Sequence, residues 1–424
     1  MQSTAPSRQG TTLYLSELAN GFVFTLSIRD VGRGEHEKHI WKTSYPLLEL
    51  LYPHWVKKRP INTPIDFLAH SLRQAEQAFG WKLMTDSGKF RVPEAQFGEG
   101  VDAVRILQND SVKSALDNIV SDKFVTIKKR SELSLGKELL KQIDMFTQPV
   151  VVVVMDFFSY EIIECVPKSV GNTRRWEYKS SKIQYKNAQE YVDMLAAKKF
   201  LPFVSEHIPE GQMFNTLLNH AYWRPLTTSS NLVKDLFRAL TTALLIDLSQ
   251  YTSIHSCLKG HIFVTGEVPL FVHDSSRMQL AIVDGLGLSG TWSITIDEQN
   301  QLLPFVADDQ GVNVFHELST EKSSLWIIPQ TKKVKSIVNV KAGDKEYRGI
   351  YGNLYTYSHQ PKLHDFEIGM ESEKSAYTLP DVVNVASVTI DMRTWPVIYG
   401  PNTVANSDKI PQWVDRIHKQ IKTT

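Results

Sequence analysis

The alternation of apolar and polar residues predicts an α/β protein in which two similar strand pairs stand at different points of the chain. Thr12–Leu18 and Phe22–Ile28 are β-rich runs on either side of Asn20-Gly21, and this step is typical of a β-hairpin because both residues tolerate positive φ. Val150–Met155 is a continuous, mostly β-branched run, and after a short turn the second run Tyr160–Val166 follows. Both pairs therefore predict the same strand–turn–strand design.

Apolar residues at helical spacing predict helices between and after these strands. The predicted helices are Thr63–Lys82, a stretch around Val112–Val120, Ser131–Phe146, Asn187–Lys199, a long helix from near Thr228 through Leu248, and Ile410–Ile421. The long helix is apolar over so wide an arc that it should be buried on most sides. From Ser336 to Gly400, short alternating runs separated by Gly, Pro and Asp predict an all-β segment. We therefore expect domains at 1–149, 150–330 and 331–424.

A literal G-x-G-x-x-G, from Gly285 to Gly290, suggests a dinucleotide fold at first sight. The apolar runs Ile262–Thr265 and Leu280–Val283 before it predict strands that end in glycine or aspartate. A dinucleotide fingerprint needs a helix after its glycines, because the pyrophosphate rests on the N–H groups of the helix N-terminus. Here Thr291–Ile296 follows, and its alternating β-branched residues predict a strand. We interpret the motif as a glycine-rich loop between strands.

Composition limits the classes of function that fit. With 42% hydrophobic and 22% charged residues over 424 positions, the chain is typical of a globular protein. The 47 basic and 46 acidic residues give a net charge of +1, so no overall field draws the protein to nucleic acid or membrane. Cys165 and Cys257 stand far apart, which argues against a disulfide framework and favours the reducing cytoplasm. The polar start of the chain and the lack of a long apolar run predict neither a signal peptide nor a membrane span.

One segment carries a resemblance to a known family. A strand followed by Gly266, a second strand that ends at Asp284, and then Gly290 with a strand that ends at Asp297 resembles the C-terminal half of the glutamate mutase accessory protein L family. Members of that family resemble the actin/hexokinase/heat-shock-70 superfamily of ATP-binding folds. The resemblance implies an α/β fold with two ribonuclease-H-like subdomains of the actin-like ATPase type, followed here by a β-rich C-terminal module.

The resemblance also implies residues for a Mg-ATP site. In the superfamily, two phosphate loops join the strands of paired hairpins, and a glycine-rich turn after a third strand contacts adenosine. The residues implied here are Glu17, Asn20 and Gly21 in the first phosphate loop, Asp156 and Ser159 in the second, Gly266 and Glu267 in the adenosine turn, and Asp284 after it. Asp156 is the implied catalytic residue and the carboxylate that holds hydrated Mg²⁺.

The same positions depart from the superfamily's pattern in ways that oppose nucleotide binding. Glu17 stands near the aspartate position of the first loop, and Phe157 and Phe158 occupy the second loop where small residues would admit phosphate. Glu267 replaces a second glycine in the adenosine turn and adds negative charge near a polyanion. We therefore expect a degenerate member that keeps the scaffold, binds ATP and Mg²⁺ weakly or not at all, and serves protein partners in a bacterial assembly.

Two other functions stay open. The first is an active Mg-ATP-dependent enzyme or chaperone-like reactivation factor, with Asp156 as the metal-side carboxylate and Gly266 on the adenosine. The second is a nucleic-acid-binding module that uses the basic and aromatic stretch Arg174–Lys186. The ordinary alternative for that stretch is a solvated β-edge with extended lysines. For Asp156, Asp284 and Asp297, whose carboxylates are predicted at strand ends, the ordinary alternative is that they accept hydrogen bonds within turns.

Overall fold

The computed structural model describes the strands, the helices and the segments next to them. The described residues are 9–18, 21–30, 36–44, 63–80, 83, 103–108, 125–129, 135–170, 173–185, 188–197, 199–205, 208–223, 230–303, 315, 318, 323–329, 337–342, 345–358, 366–370, 385–393 and 409–419. The chain divides into two compact units. One contains Met1–Leu135, Tyr222–Thr227 and Gln299–Gln310, and the other contains Gly136–Ala221, Thr228–Glu298 and Gly311–Thr424.

The first unit is built on a five-stranded sheet. Its elements are β1 (Gln9–Leu18), β2 (Gly21–Asp30), β3 (His36–Ser44), α1 (Thr63–Phe79), β4 (Ala103–Gln108) and β5 (Val125–Lys129). The strand order is β3-β2-β1-β4-β5, in which β1, β2 and β3 form an antiparallel meander and β4 and β5 run parallel to β1. Leu18 pairs with Gly21, so β1 and β2 are the strands of the hairpin that Asn20-Gly21 predicts.

The rest of the chain contains eleven further strands in the part that the structure describes. In chain order the elements are α2 (Leu135–Leu140), β6 (Val150–Asp156), β7 (Ser159–Val170), β8 (Thr173–Gln184), α3 (Ala188–Ala196), α4 (Glu210–Trp223), α5 (Asn231–Ser249), β9 (Lys259–Thr265), α6 (Glu267–Val272), α7 (Ser275–Leu286), β10 (Gly290–Ile296), β11 (Ser323–Ile328), β12 (Ile337–Ala342), β13 (Lys345–Ile350), β14 (Leu354–Ser358), β15 (Phe366–Met370), β16 (Ser387–Asp391) and α8 (Ile410–His418).

The second unit repeats the topology of the first within a larger sheet. Its eight strands follow the order β14-β16-β11-β10-β9-β6-β7-β8. In the part β8-β7-β6-β9-β10, an antiparallel meander continues into two parallel strands, as in the first sheet. This strand order and these directions are those of the ribonuclease-H-like fold, and the chain contains it twice. The predicted fold class, α/β with two ribonuclease-H-like subdomains of the actin-like type, is confirmed.

The centre of the second sheet is buried on both faces. All seven residues of β6 are buried, as its continuous apolar run predicts for a strand that is covered on both sides. On one face α5 packs against α7 and against β7. The Ser230 hydroxyl accepts the backbone N–H of Val233 at 3.3 Å, which satisfies a donor in the first turn of α5. As predicted, α5 is buried on most sides.

The all-β segment predicted near the C-terminus is divided between two sheets. β12, β13 and β15 form a separate sheet in the order β13-β12-β15, whereas β14 and β16 extend the eight-stranded sheet beyond β11. Val338, Val340 and Tyr347 of the small sheet pack in one hydrophobic cluster with Leu325 of β11. The small sheet therefore shares a core with the larger one, and the domain boundary at 330 stays a prediction.

The predicted strand at Leu280–Val283 is wrong, because these residues lie within the helix α7. A short apolar run fits a buried helix as well as a buried strand, and only its ends distinguish the two. The Asp274 carboxylate accepts the N–H of Arg277 at 3.1 Å and caps the start of the helix. Gly287, with φ 59°, ends it in the left-handed conformation.

The G-x-G-x-x-G therefore begins in the last turn of a helix, with Gly285 inside α7, and leads into the predicted strand, which is β10. An anion at these glycines would meet the negative end of the α7 dipole, so the dinucleotide interpretation fails for a stronger reason than the sequence supplies. Gly285 instead lies against Leu245 of α5, and Gly290, with φ 94°, lies against the backbone of Leu258. Close packing accounts for both glycines.

The other predicted helices agree with α1, α3, α5 and α8 apart from their ends. The helix predicted at Ser131–Phe146 corresponds to α2, which ends at Leu140 with turns after it; residues 131–134 lie outside the described part. The stretch Val112–Val120 lies outside the described residues. None of the helices in the described part is long and apolar enough to cross a bilayer.

The closing helix α8 is held on α7 and β14 by an apolar face and one ion pair. The buried face consists of Ile410, Trp413, Val414 and Ile417. At the end of the helix, His418 Nε2 lies 3.1 Å from Asp274 Oδ1, the residue that caps α7. This hydrogen bond raises the pKa of His418 above its usual value. The ion pair therefore adds a pH-dependent contribution to the docking of α8.

Replacing His418 by glutamine is expected to destabilise the protein slightly, and only where the histidine is protonated. Because its pKa is raised on folding, the pair stabilises fully below the unfolded value of about 6.5 and loses this effect as the pH rises through the folded pKa. The His418 side chain is 38% exposed, so we expect a loss of roughly 0.5 kcal/mol. Urea unfolding at about pH 5 and about pH 9 measures this difference.

The matched control is Lys419→Gln, which removes the adjacent ion pair with Asp415. That ion pair contains no histidine, so the effect of this substitution should be the same at both pH values. An equally large deficit for His418→Gln at both pH values would show that the ion pair with Asp274 contributes nothing.

Candidate functional site

Three parallel strands of the second unit end side by side. β6 and β10 both run parallel to β9, so their carboxyl ends lie at one edge of the sheet. β6 ends at Asp156, β9 leads into Gly266 and Glu267, and β10 leads into Asp297. The sequence-predicted residues of the second phosphate loop and the adenosine turn are thus brought together. In open α/β sheets such strand ends are where ligands bind.

Asp156 is buried and organises the turn between β6 and β7. Its Oδ2 accepts the hydroxyl of Ser159 at 3.2 Å, and its Oδ1 accepts the backbone N–H of Glu267 at 3.3 Å. The carboxylate therefore makes the turn hydrogen bonds that are the ordinary role of a strand-end aspartate. A role for Asp156 as catalytic residue or Mg²⁺ carboxylate stays a prediction.

Glu267 completes a reciprocal link between the two segments. It is 3% exposed, and its Oε2 accepts the backbone N–H of Phe157 at 3.4 Å. Its own N–H is donated to Asp156. A phosphate loop offers its backbone N–H groups to phosphate oxygens. At Phe157 an oxygen of the protein's own carboxylate already lies at that position.

Aromatic packing anchors the same turn. The ring of Phe157 is buried between Phe237 and Phe271, with centroid distances of 5.6 and 5.5 Å. The ring of Phe158 meets Tyr191 at 5.5 Å. These edge-to-face contacts tie the turn to α3, α5 and α6, so the turn could not open for phosphate without exposing apolar surface.

Gly266 joins β9 to α6 and has φ 111°, a conformation that glycine adopts readily. A Cβ at this position would lie 2.5 Å from the carbonyl oxygen of Met155. The glycine expected in the adenosine turn is therefore required by close approach of the β6 backbone. As an adenosine contact it stays a prediction.

The end of β10 is tied to the end of β9. Asp297 Oδ2 accepts the hydroxyl of Thr265 at 2.8 Å, and the Asp297 N–H is donated to the carbonyl of Val264 at 2.7 Å. Asp297 is 2% exposed. The sequence marks Asp297 as a strand-end carboxylate but gives no signal for its partner, which comes from another strand.

Asp284 lies on α7 and belongs to a buried ionic cluster. Its two oxygens accept Arg393 Nη2 at 2.8 Å and Nη1 at 3.2 Å. Asp391, at the end of β16, accepts Arg393 Nη2 at 2.6 Å and Nε at 3.0 Å. Burial lowers the pKa of Arg393, but the two carboxylates raise it by more, so the guanidinium stays charged. Arg393 also lies over the Trp413 ring at 5.2 Å.

Sequence reasoning missed this cluster, in which one arginine satisfies two carboxylates. The sequence offers one weak signal, the Asp391-Met392-Arg393 step after a predicted strand. Both carboxylate oxygens of Asp284 are engaged by Arg393, which leaves a structural role as the simplest explanation of its burial. A nucleotide contact for Asp284 stays a prediction.

In the first unit, the position equivalent to the turn between β6 and β7 is the turn between β1 and β2. Glu17 lies near the end of β1 opposite Phe22, and Gly21 begins β2 opposite Leu18. Asn20 lies outside the described residues. The roles implied for these residues in a first phosphate loop stay predictions.

The described residues of the second unit fit Mg-ATP poorly. The Phe157 N–H is paired with a carboxylate, two aromatic rings fill the space beside it, and Glu267 would repel a polyanion. No group of His, Cys, Asp and Glu in the described part of the chain is arranged to hold a metal ion. The hydrogen bonds of this arrangement instead fix the ends of β6, β9 and β10 to one another.

Comparison with known proteins gives structural likeness without a sequence family. Neither a protein-family model nor a curated protein matches the chain. Among solved structures it is similar to the ethanolamine utilization protein EutJ from Carboxydothermus hydrogenoformans, with 9% identity over 71% of this chain and 89% of that chain and a TM-score of 0.32. It is also similar to the Aquifex aeolicus PPX-GPPA enzyme, with 13% identity over 65% of this chain and 71% of that chain and a TM-score of 0.31. A third is hexokinase from Schistosoma mansoni with glucose, with 10% identity over 70% and 84% and a TM-score of 0.33.

These values are too low to transfer any function, so the fold assignment rests on the strand order of the two sheets. The specific likeness to the glutamate mutase accessory protein L family stays a prediction.

Proposed function

We propose that the protein is a non-catalytic member of the actin-like ATPase superfamily that binds ATP weakly or not at all and acts as a scaffold for protein partners in a bacterial assembly. The single observation that supports this most is the reciprocal link at the strand ends. Glu267 accepts the Phe157 N–H and donates its own N–H to Asp156. The groups that would bind phosphate and metal are engaged by the chain itself.

To bind at this turn, phosphate would have to displace the hydrogen bond between Glu267 and Phe157. Breaking the bond between Glu267 and Phe157 leaves a buried carboxylate without that donor, at a cost of about 1–3 kcal/mol. That cost alone corresponds to a loss of roughly tenfold to a hundredfold in affinity. Repulsion between Glu267 and a nearby polyanion adds to the loss. An ordinary nucleotide affinity is therefore not expected at this half of the fold.

Adding Mg-ATP is expected to leave the melting temperature of the protein unchanged. A native-state ligand at about a hundredfold above its Kd would stabilise the protein by about 2.7 kcal/mol, which a thermal melt resolves easily. The measurement is a melt with and without Mg-ATP, on wild type and on Asp156→Ala. Asp415→Ala is the matched control, since it removes an exposed carboxylate on α8.

A clear upward shift that is lost in Asp156→Ala and kept in Asp415→Ala would refute the non-catalytic proposal. That outcome would favour the alternative, an active Mg-ATP-dependent enzyme or reactivation factor. No shift in any of the three proteins agrees with the scaffold.

A further inference from the structure

The strand β8 forms the outer edge of the eight-stranded sheet. It is 12 residues long, and on its far side no strand of the described residues pairs with it. An edge of this length presents a row of backbone donors and acceptors to which another extended chain can pair. The opposite edge is β14, against which α8 packs.

The register shows which backbone groups of β8 face outward. Tyr185 donates its N–H to the carbonyl of Phe158 at 2.8 Å, and the pairing of β7 with β8 continues without a bulge. In an antiparallel pair the hydrogen-bonded positions alternate, so the odd-numbered residues of β8 face β7. The N–H and C=O of the even-numbered residues, among them Ser180 and Lys182, therefore point away from the sheet.

The same edge carries a concentration of positive charge. Arg174, Arg175, Lys179 and Lys182 are exposed, and alternation places two of them on each face of the strand. The one acidic residue of β8, Glu177, forms an ion pair with Lys168 at 2.5 Å. Within the described part of the chain, no ion pair engages the three cations Arg175, Lys179 and Lys182. The side chains of β8 are thus net basic on both faces, although Glu161 and Glu164 of β7 lie opposite Lys182 and Lys179 in the register.

Exposed apolar side chains border this edge. Tyr178 of β8 is 36% exposed and Met145 is 40% exposed, next to Phe146, whose carbonyl accepts Arg174 Nη1 at 3.2 Å. Tyr251 is 64% exposed, and its carbonyl accepts the Ser181 hydroxyl at 3.4 Å. Large exposed side chains beside an open strand are typical of a binding surface.

The charge of β8 indicates which kind of chain can pair with its outer edge. A second copy of β8 would bring together two strands that each carry four cations and one carboxylate, and this like charge opposes their pairing. A single-stranded nucleic acid follows one face of a protein with its phosphates and bases, whereas the cations here are divided between two faces. An extended acidic segment of a partner protein matches both faces, because its alternate side chains lie on opposite sides of the sheet.

We propose that the outer edge of β8 binds an acidic extended segment of a partner protein as an additional β-strand. The inference rests on the proposed scaffold function only in that the partner is a protein. It does not depend on whether nucleotide binds elsewhere, so the peptide measurement and the Mg-ATP melt succeed or fail separately.

The test uses a fluorescent peptide of alternating valine and glutamate, matched in length to the 12 residues of β8. Anisotropy at low salt should show binding to the wild-type protein. An analogue of identical charge, N-methylated on alternate residues, cannot form the strand hydrogen bonds and should bind on the order of tenfold more weakly or worse. A polythymidine strand is the nucleic-acid probe and should bind more weakly than the unmodified peptide.

The surface is located with the double variant Lys179→Glu/Lys182→Glu, which should weaken peptide binding on the order of tenfold to a hundredfold. Lys409→Glu is the control for a charge reversal elsewhere, since Lys409 is exposed at the start of α8, the helix on the opposite edge. It should leave the affinity unchanged, and melts and circular dichroism should show that both proteins are folded.

Three results would overturn the proposal, and each of them needs only the wild-type protein. They are no peptide binding at low salt, equal binding of the N-methylated analogue, and tighter binding of polythymidine than of the peptide. The last result would assign β8 to nucleic acid instead.

Discussion

Replacing Arg393 by methionine is expected to lower the free energy of unfolding by about 3–5 kcal/mol. The arginine is fully buried and is the shared partner of Asp284 and Asp391. Methionine fills similar space but leaves two carboxylates inside the protein without a countercharge. It also removes the guanidinium from the face of Trp413, where it links the cluster to α8. Urea denaturation near neutral pH measures the loss.

The pH dependence of the same variant separates charge from packing. Without the arginine, the pKa values of both buried carboxyls rise, so the folded state binds protons that the unfolded state releases. The deficit should therefore shrink toward about pH 4, where protonated carboxyls need no countercharge. A deficit that is constant from about pH 4 to about pH 8 would indicate lost packing alone. Replacing all three members by apolar residues should recover much of the stability.

Replacing His261 by leucine is expected to make the protein more resistant to acid. His261 is 1% exposed, and neither ring nitrogen has a hydrogen-bond partner in the part of the chain that the structure describes. Its ring packs on Phe146 with a centroid distance of 4.6 Å. Burial lowers the pKa of His261 to about 4, so between that value and about 6.5 the unfolded chain binds a proton that the folded chain excludes.

The difference between the folded and the unfolded pKa of His261 determines how the free energy of unfolding changes with pH. Wild type loses stability as the pH falls from about 6.5 toward 4, by about 2 kcal/mol at about pH 5. The His261→Leu protein lacks this loss, so its advantage over wild type should be larger by that amount at about pH 5 than at about pH 8. His255→Leu, which removes an exposed histidine, is the control and should show no such change. Parallel stability curves for wild type and His261→Leu would show that His261 titrates normally.

Much of the fold could be predicted from the sequence because its signals are local. The hairpin at Asn20-Gly21, the buried run of β6 and the long apolar α5 all depend on residues that are neighbours in sequence. The helix α7 could not be distinguished from a strand, since its apolar core is short and its identity depends on the caps at Asp274 and Gly287. The division of the C-terminal strands between two sheets also lay beyond reach, because strand partners are chosen in three dimensions.

The positions of some candidate site residues at strand ends could be predicted from the sequence, whereas their contacts could not. The sequence placed Asp156, Gly266 and Glu267 at strand ends, and the strand order brings these ends together. It identified Glu267 as an unfavourable charge beside a polyanion. It could not show that this carboxylate binds the N–H of Phe157, which is 110 residues away along the chain.

The sequence by itself determined the two strand–turn–strand units, most of the helices and the α/β class. These follow from periodicity and side-chain size, which act over a few residues. Three features were decided by the tertiary structure alone. Asp156 and Glu267 each accept a backbone N–H from the other's segment, and Asp284 pairs with Arg393 at a separation of 109 residues. The third feature is the position of β8 at the edge of its sheet. Such pairings form only when folding removes polar groups from water, because a buried charge or N–H must then find its partner wherever the chain has brought one.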